Sequence, residues 1–284
     1  MQTFLDARKV SPEPVARWAR MSGPTHADIR LDVHDDLRTI ESSWREFERS
    51  ADCTVFQSFA WLSAWQLHIG ARAGVVPAIV VGRRAEGRIL FLLPLAVIPG
   101  MIRRLTWLGC DLCDYNAPLL VPDFEKDVTP DHFRQIWQDV LQLLRGKLIH
   151  RYDVVELTKM PETIGMQANP MTHIGVNLNP SAAYITELGQ TWEEFYRARR
   201  SSATRKKDRA KRRRLEEIGE VRFVNPQDRD ERSYSLDVLF LQKSKSLARM
   251  GVADIFARPG YREFLSDLAL DPATQPMVHV SRLD

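Results

Sequence analysis

Residues 76–102 read VPAIVVGRRAEGRILFLLPLAVIPGMI. The stretch ILFLLPLAVIPGMI, residues 89–102, is the longest apolar run of the chain, and it contains Pro94 and Pro99. A helix that crosses a bilayer needs about 20 apolar residues. This run is too short and too rich in proline, so it reads as a buried strand. VPAIVVGRR (76–84) and GRILFLLPLAV (87–97) flank a short turn at Ala85-Glu86 and predict a hairpin.

On the N-terminal side, DIRLDV (28–33) alternates as a strand does. His34 to Ser50 carries Leu37, Ile40, Trp44 and Phe47 at spacings of three and four, the pattern of an amphipathic helix. FQSFAWLSAWQLHIG (56–70) reads as a second helix, with Gly70 as its C-terminal cap. Residues 1–27 are polar and proline-containing and read as a flexible leader. They hold no apolar run of the secretory kind, and the expected location is the cytoplasm.

Beyond the hairpin, RRLTWLG (103–109) is a third strand, followed by the loop CDLCDYNAPLLVP. Residues 131–146 put Phe133, Ile136, Trp137, Val140, Leu141 and Leu144 on one helical face. RYDVVELTKM (151–160) reads as a central strand and HIGVNLNP (173–180) as a short one. Thr191 and Glu194 match a capping box, with an apolar stripe of Trp192, Phe195 and Tyr196 behind it. Ser201-Ser202 caps a further helix, Ala203 to Ile218, closed by Gly219. A strand at 220–226, helices near 231–249 and 260–269, and a strand at 277–283 complete the chain. The order predicts an α/β protein with a mixed sheet. The expected domains are 28–180 and 181–284. The last strand has no hairpin partner after it, and an unpaired edge is unfavourable. The second domain is therefore expected to be truncated.

The 284 residues carry a formal net charge of +3. Residues 197–214 alone hold eleven Lys or Arg against one acid, Asp208, so the rest of the chain is net acidic. A general nucleic-acid binder spreads its positive charge over a folded face, and nucleic acid is not the expected partner. Three cysteines, Cys53, Cys110 and Cys113, do not make a disulfide scaffold. Zinc needs more ligands than the single CxxC supplies, the histidines are scattered, and no metal is expected.

Three groups of residues carry candidate chemistry. In CDYNAP, Asp114, Tyr115 and Asn116 sit in a polar loop after a strand, where function often resides. A carboxylate beside a phenol and an amide can bind or deprotonate an amine; a plain turn through Asn116 and Pro118 is the alternative. Gln57, Trp61 and Trp65 at the start of the second helix line a substrate site or pack the core. In the basic run, Arg205, Arg209, Arg212 and Arg213 share a side. They face a polyanion or the phosphates of a cofactor, touch a membrane surface, or belong to a solvated helix that packs by a thin seam of Ala203, Ala210, Leu215 and Ile218.

Five stretches together resemble the FemAB-like and CelD-like acyltransferases: TVFQSFAWLSAW (54–65), ILFLLPLAV (89–97), RLTWLGCDLCDYNAPLL (104–120), TWEEFYRARRSSATRKKDRAKRRRLEEIGEVRF (191–223) and QKSKSLARMGVADIF (242–256). The resemblance implies tandem GNAT-type domains and transfer of an acyl group, such as acetyl, from acyl-CoA to an amine. The first domain would be degenerate and shape the acceptor site. The second would take the donor, with its pyrophosphate at a helix N-terminus; in this family those elements lie mainly after the strand that begins near Met277, so the resemblance implies that the chain lacks the complete acyl-donor site. The resemblance also implies Asp114 as a substrate-site residue and a role in cellulose or exopolysaccharide production, with a small or sugar-linked amine as acceptor. In cell-wall relatives a lysine often stands near position 65; Trp65 here disfavours the aminoacyl-tRNA branch. That branch, with tRNA as donor, and a non-enzymatic module binding nucleic acid or anionic lipid through the basic helix are the alternatives. Peripheral membrane contact is compatible with each reading.

Overall fold

The computed structural model of the chain describes residues 5–6, 29–180 and 182–284, apart from Ala183, Tyr184, Ile185, Glu187, Gln190, Gln275 and Pro276. Most of the leader expected at 1–27 lies outside the described residues. The chain forms two compact units, residues 1–180 with 255–268, and residues 181–254 with 269–284.

The first unit is built on a mixed sheet. Its strands are β1 (Leu5–Asp6), β2 (Ile29–His34), β3 (Val76–Arg84), β4 (Ile89–Ile98), β5 (Arg104–Trp107), β6 (Leu119–Leu120) and β7 (Val154–Val155). They run in the order β1-β7-β5-β4-β3-β2, with β6 beside β4. The helices are α1 (Glu41–Glu48), α2 (Phe59–Trp65), α3 (Phe124–Asp127) and α4 (Pro130–Gly146). All pairings are antiparallel except β5 with β7, which are parallel and joined through α4. A parallel pair needs such a crossover.

The hairpin of β3 and β4 is the core of this sheet. Nearly every residue from Ala78 to Val97 within the two strands is buried, whichever face it points to. The α4 face bearing Phe133, Ile136, Trp137, Val140 and Leu144 joins the cluster that holds Ala78, Val80, Leu93 and Leu95. Pro94 does not weaken the strand. β5 pairs with β4 from Leu95 onward and β6 pairs only at Phe91 and Leu92. Pro94 thus falls in the gap between two partners, where its missing N–H breaks no ladder bond. Its carbonyl accepts from Leu108 N at 2.8 Å.

Several expectations change. The first helix starts later: Asp36 caps a 3₁₀ turn, Leu37–Thr39, before α1 begins. Ser58 interrupts the second helix, accepting from Trp61 N after a 3₁₀ turn at Val55–Gln57. That helix then widens into a π turn, Gln66–Gly70. Gly70 lies inside this turn and is no cap; Gly74, at φ 68°, takes the left-handed position. The strand expected at 151–160 shrinks to β7, next to the β1 edge and not at the centre. Residues 173–180 form no strand; a 3₁₀ turn, Pro170–His173, capped by the Asn169 side chain, precedes an irregular segment. A small hairpin, β8 (Thr163–Ile164) with β9 (Gln167–Ala168), lies just before it.

The second unit contains α5 (Trp192–Arg199), α6 (Ser202–Glu216), the strand β10 (Phe223–Val224) and α7 (Arg229–Arg249). Helix α8 (Tyr261–Leu270) belongs to the first unit as far as Leu268, and β11 (Arg282–Leu283) closes the second. The last strand is shorter than expected, and it is not isolated: it pairs antiparallel with β10. Arg222 and Asp284 extend the ladder by exchanging backbone bonds at 2.9 Å. Arg282 ties the pair to α7 through Ser235 Oγ at 3.2 Å. Thr191, Ser201 and Asp228 cap their helices as N-cap residues do. Among the described residues no helix is long and apolar enough to cross a membrane.

Two positions in the first unit's core lend themselves to measurement. A Cβ at Gly82 would lie 2.2 Å from the ring of Phe91, which is wedged edge-on against Phe124 and Phe133. Gly82→Ala should cost about 1–3 kcal/mol in denaturant unfolding. His150 is fully buried; its Nε2 bonds Pro77 O at 2.9 Å and its Nδ1 has no partner among the described residues. Burial holds its pKa below the ordinary histidine value. The unfolded chain therefore binds the proton more readily, so stability is full above about pH 6.5 and falls as the pH drops below it. His150→Gln should lose less stability than wild type between pH 7.5 and 5.5, measured by urea midpoints.

Candidate functional site

In the first unit, the loop after β5 is held by three polar side chains, two of them buried. Gly109, at φ 75°, turns the chain so closely over α2 that a Cβ there would meet Leu62 at 3.0 Å and Cys113 Sγ at 3.2 Å. Lys159 Nζ donates to the carbonyls of Cys110 at 3.2 Å and Cys113 at 2.9 Å. Asn116 is buried, donates from Nδ2 to Thr158 O at 3.1 Å, and pairs its own N–H with Lys159 O. Gln57 is buried as well. Its Oε1 accepts from Thr54 N, closing a capping box, and its Nε2 donates to Tyr115 O at 2.7 Å.

Gln57 and Asn116, read as substrate contacts, thus spend hydrogen bonds on tying this loop to its neighbours, Gln57 from Thr54 to Tyr115 O and Asn116 to Thr158 O. They fix where Asp114 and Tyr115 stand. Asp114 is exposed at the crest of the loop. Tyr115 packs against Phe56, which meets Trp61 edge-on at 5.1 Å, and Trp61 meets Phe264 of α8 at 5.2 Å. Trp61 and Trp65 are therefore core packing residues in large part.

Trp65 also has a polar role. Its Nε1 donates to Asp111 Oδ1 at 2.9 Å, and the Tyr261 hydroxyl donates to Asp111 Oδ2. Burial, and then the bond to Asp111, raises the Tyr261 pKa, so the phenol stays a proton donor at neutral pH. Around this carboxylate the start of α8 docks closely. A Cβ at Gly260 would lie 2.0 Å from His68 O, so only glycine fits there. His68 meets Asp267 at 3.0 Å and Arg72 faces Glu263 at 3.6 Å. Asp111, Lys159 and Tyr261 are not legible in the sequence as a group, because their partners lie up to 150 residues apart in the chain.

The cysteines of the CxxC are unpaired. Burial pushes the Cys113 thiol up to about 12, and raises Cys110 as well. Cys53 is pushed up to about 11 by the same cause. A thiol needs a lowered pKa to act as nucleophile or redox group at neutral pH, so these are packing residues. Among the described residues no cluster of three or more His, Cys, Asp or Glu is placed to hold a metal.

In the second unit, α6 carries the basic run. No residue of it is buried, and the expected seam does not pack: Ile218 just beyond its end is 86% exposed. The Tyr196 hydroxyl binds the lone acid, Asp208, at 2.7 Å. Arg212 pairs with Glu216, and Arg205 donates to Arg197 O. Arg209 and Arg213 have no ion-pair partner among the described residues. A bound phosphate is favoured at a helix N-terminus without acids. Among the described helices of eight or more residues, the first turn of α1, α4, α5, α7 and α8 carries an acid. The first turn of α6 carries none and is followed by Arg205, Lys206 and Lys207. The first unit's long helix α4 adds Pro130 at its start, which removes an N–H as well.

Residues 202–284 match the family model described as an acetyltransferase (GNAT) domain. The match starts at the first residue of α6. No curated protein and no solved structure matches the chain.

The Asp111 bridge gives a direct test. Tyr261→Phe should cost about 1 kcal/mol. Asp111→Ala should cost about 2 kcal/mol, because it leaves the donors of both Trp65 and Tyr261 without their acceptor. A double-mutant cycle on thermal unfolding should show the two substitutions to be non-additive.

Proposed function

We propose that this protein is an N-acyltransferase that moves an acyl group, such as acetyl, from acyl-CoA to an amine. The observation that carries the reading is the acetyltransferase domain match over residues 202–284. The acid-free, strongly basic start of α6 supports it, since a CoA thioester presents a pyrophosphate. Arg209 and Arg213 are the residues assigned to the donor's phosphates, with Arg205 and Arg212 beside them. The thioester supplies the activated acyl group. What the protein must add is a place for the amine and a group that takes its proton.

Asp114 is the residue assigned to the acceptor. It is an exposed carboxylate on a loop pinned from below by Gln57, Asn116 and Lys159, so it can hold an ammonium group and receive a proton without moving the loop. Tyr115 beside it offers an apolar ring and a hydroxyl. A sugar-linked amine, as in cellulose or exopolysaccharide production, is the acceptor class the sequence resemblance favours. The cytoplasm is the corresponding location, where acyl-CoA is available.

The test is CoA release from acetyl-CoA in the presence of a panel of amino sugars and polyamines. Arg209→Glu with Arg213→Glu should raise KM for acetyl-CoA about tenfold or more with little change in the melting temperature, since neither residue is buried. Asp114→Asn should raise KM for the amine and leave that for acetyl-CoA alone. A purified chain that neither binds nor consumes acetyl-CoA at millimolar concentration overturns the reading. A second reading rests on α6 having no buried residue: a polyanion such as tRNA bound through its cations. Activity lost on RNase treatment, or salt-sensitive binding of RNA without any thioester, would favour it.

A further inference from the structure

One end of the first unit's sheet carries an apolar tip that nothing covers among the described residues. The loop between β4 and β5 places Met101 and Ile102 outward, and the 3₁₀ turn after α4 places Leu148 and Ile149 outward. Met101 is 104% exposed, so it stands clear of the protein as a side chain in an open peptide does. The two loops are fastened side by side. Arg103 N donates to Asp153 Oδ2 at 2.7 Å, Asp153 N to Arg103 O at 2.8 Å, and the Arg103 guanidinium to Ile149 O at 3.3 Å. The tip is thus a fixed feature of the fold and four large apolar side chains are held in water.

The surroundings are cationic. Within the segments 99–104 and 145–153, Arg103, Arg104, Arg145, Lys147 and Arg151 stand against the single acid Asp153. Arg104 is engaged by Glu156, and Lys147 by the carbonyl of Val33. Arg145 lies over the Tyr152 ring, and Arg151 is exposed. We propose that this tip is a membrane-surface contact: Met101, Ile102, Leu148 and Ile149 enter the headgroup and upper acyl region of an anionic bilayer, and the surrounding cations meet lipid phosphates.

Shape and charge choose this occupant over a protein. The four side chains expose on the order of 500 Å², short of the roughly 800 Å² per partner in a stable protein interface. Two short projecting tips ringed by Arg and Lys suit a fluid anionic surface, where apolar burial and charge attraction add. Each Lys or Arg near such a surface strengthens binding about fivefold. The tip is separate from the basic helix α6, which belongs to the second unit and has little apolar surface to insert.

The experiment is flotation of the purified chain with vesicles of phosphatidylcholine alone and of phosphatidylcholine with one third phosphatidylglycerol, at 150 mM salt. Binding is expected to the mixed vesicles and to fall at least tenfold on neutral ones. Met101→Asp with Ile102→Asp should lower it at least tenfold with an unchanged melting temperature, as both side chains are exposed. Arg151→Glu should lower it several-fold. Two results overturn the proposal. In the first, Met101→Asp with Ile102→Asp binds as wild type does while Arg209→Glu with Arg213→Glu does not bind, which puts the lipid on α6. In the second, wild type ignores both vesicles and the aspartate pair instead abolishes self-association on size-exclusion chromatography, which makes the tip a contact between copies.

Discussion

A strand buried on both faces has no position for a charged side chain, and every one of its residues must find an apolar neighbour. The β3–β4 hairpin imposes that constraint on the first unit. Both of its faces need cover, so helices must flank it, and α4 supplies an apolar face whose residues are all buried against it. The parallel pair of β5 and β7 is the consequence of that cover, because α4 carries the chain from one end of the sheet back to the same end. The loop after β5 then has to pass over α2. Gly109 permits that passage, and the buried amides of Gln57 and Asn116 hold the loop residues beyond it.

Much of this is legible from local pattern. The apolar run 89–102, the face of α4 and the caps at Thr191 and Ser201 each depend on residues within a turn or two of one another. The features that escape a sequence reading depend on partners far apart. β7 pairs with β5 only at Arg104 and Leu105, and nothing in RYDVVELTKM states that. The pairing of β11 with β10 joins residues about sixty apart, so the last strand shows no partner in its own neighbourhood. At the candidate site, Asp114 and Tyr115 are visible as polar residues after a strand. The structural work of Gln57 and Asn116 is not, since a buried amide that binds backbone has the same letters as one that binds a ligand. Asp111 lies inside a CxxC, where the cysteines are the local signal and the carboxylate is the residue with distant partners.

The two units differ in where their charge and their order reside. The sheet-bearing unit ties Asp111, Arg104 and Lys159 into pairs and hydrogen-bonded bridges, while α6 leaves Arg209 and Arg213 without an ion-pair partner among the described residues, beside a helix start without acids. The acetyltransferase domain match begins at α6.

The segment 255–268 belongs to the first unit although residues 181–254 separate it from the rest of that unit. During synthesis the sheet, α2 and the Asp111 loop emerge first, while Tyr261 and Phe264 are still unmade. At about 5–20 residues per second, the ribosome needs on the order of 10 s more to deliver them. For that interval Trp61 has Phe56 but lacks Phe264, the second of its edge-on neighbours, and Asp111 lacks its phenol. The nascent first unit is thus held incomplete, with aromatic surface open to water, until the chain has passed residue 268.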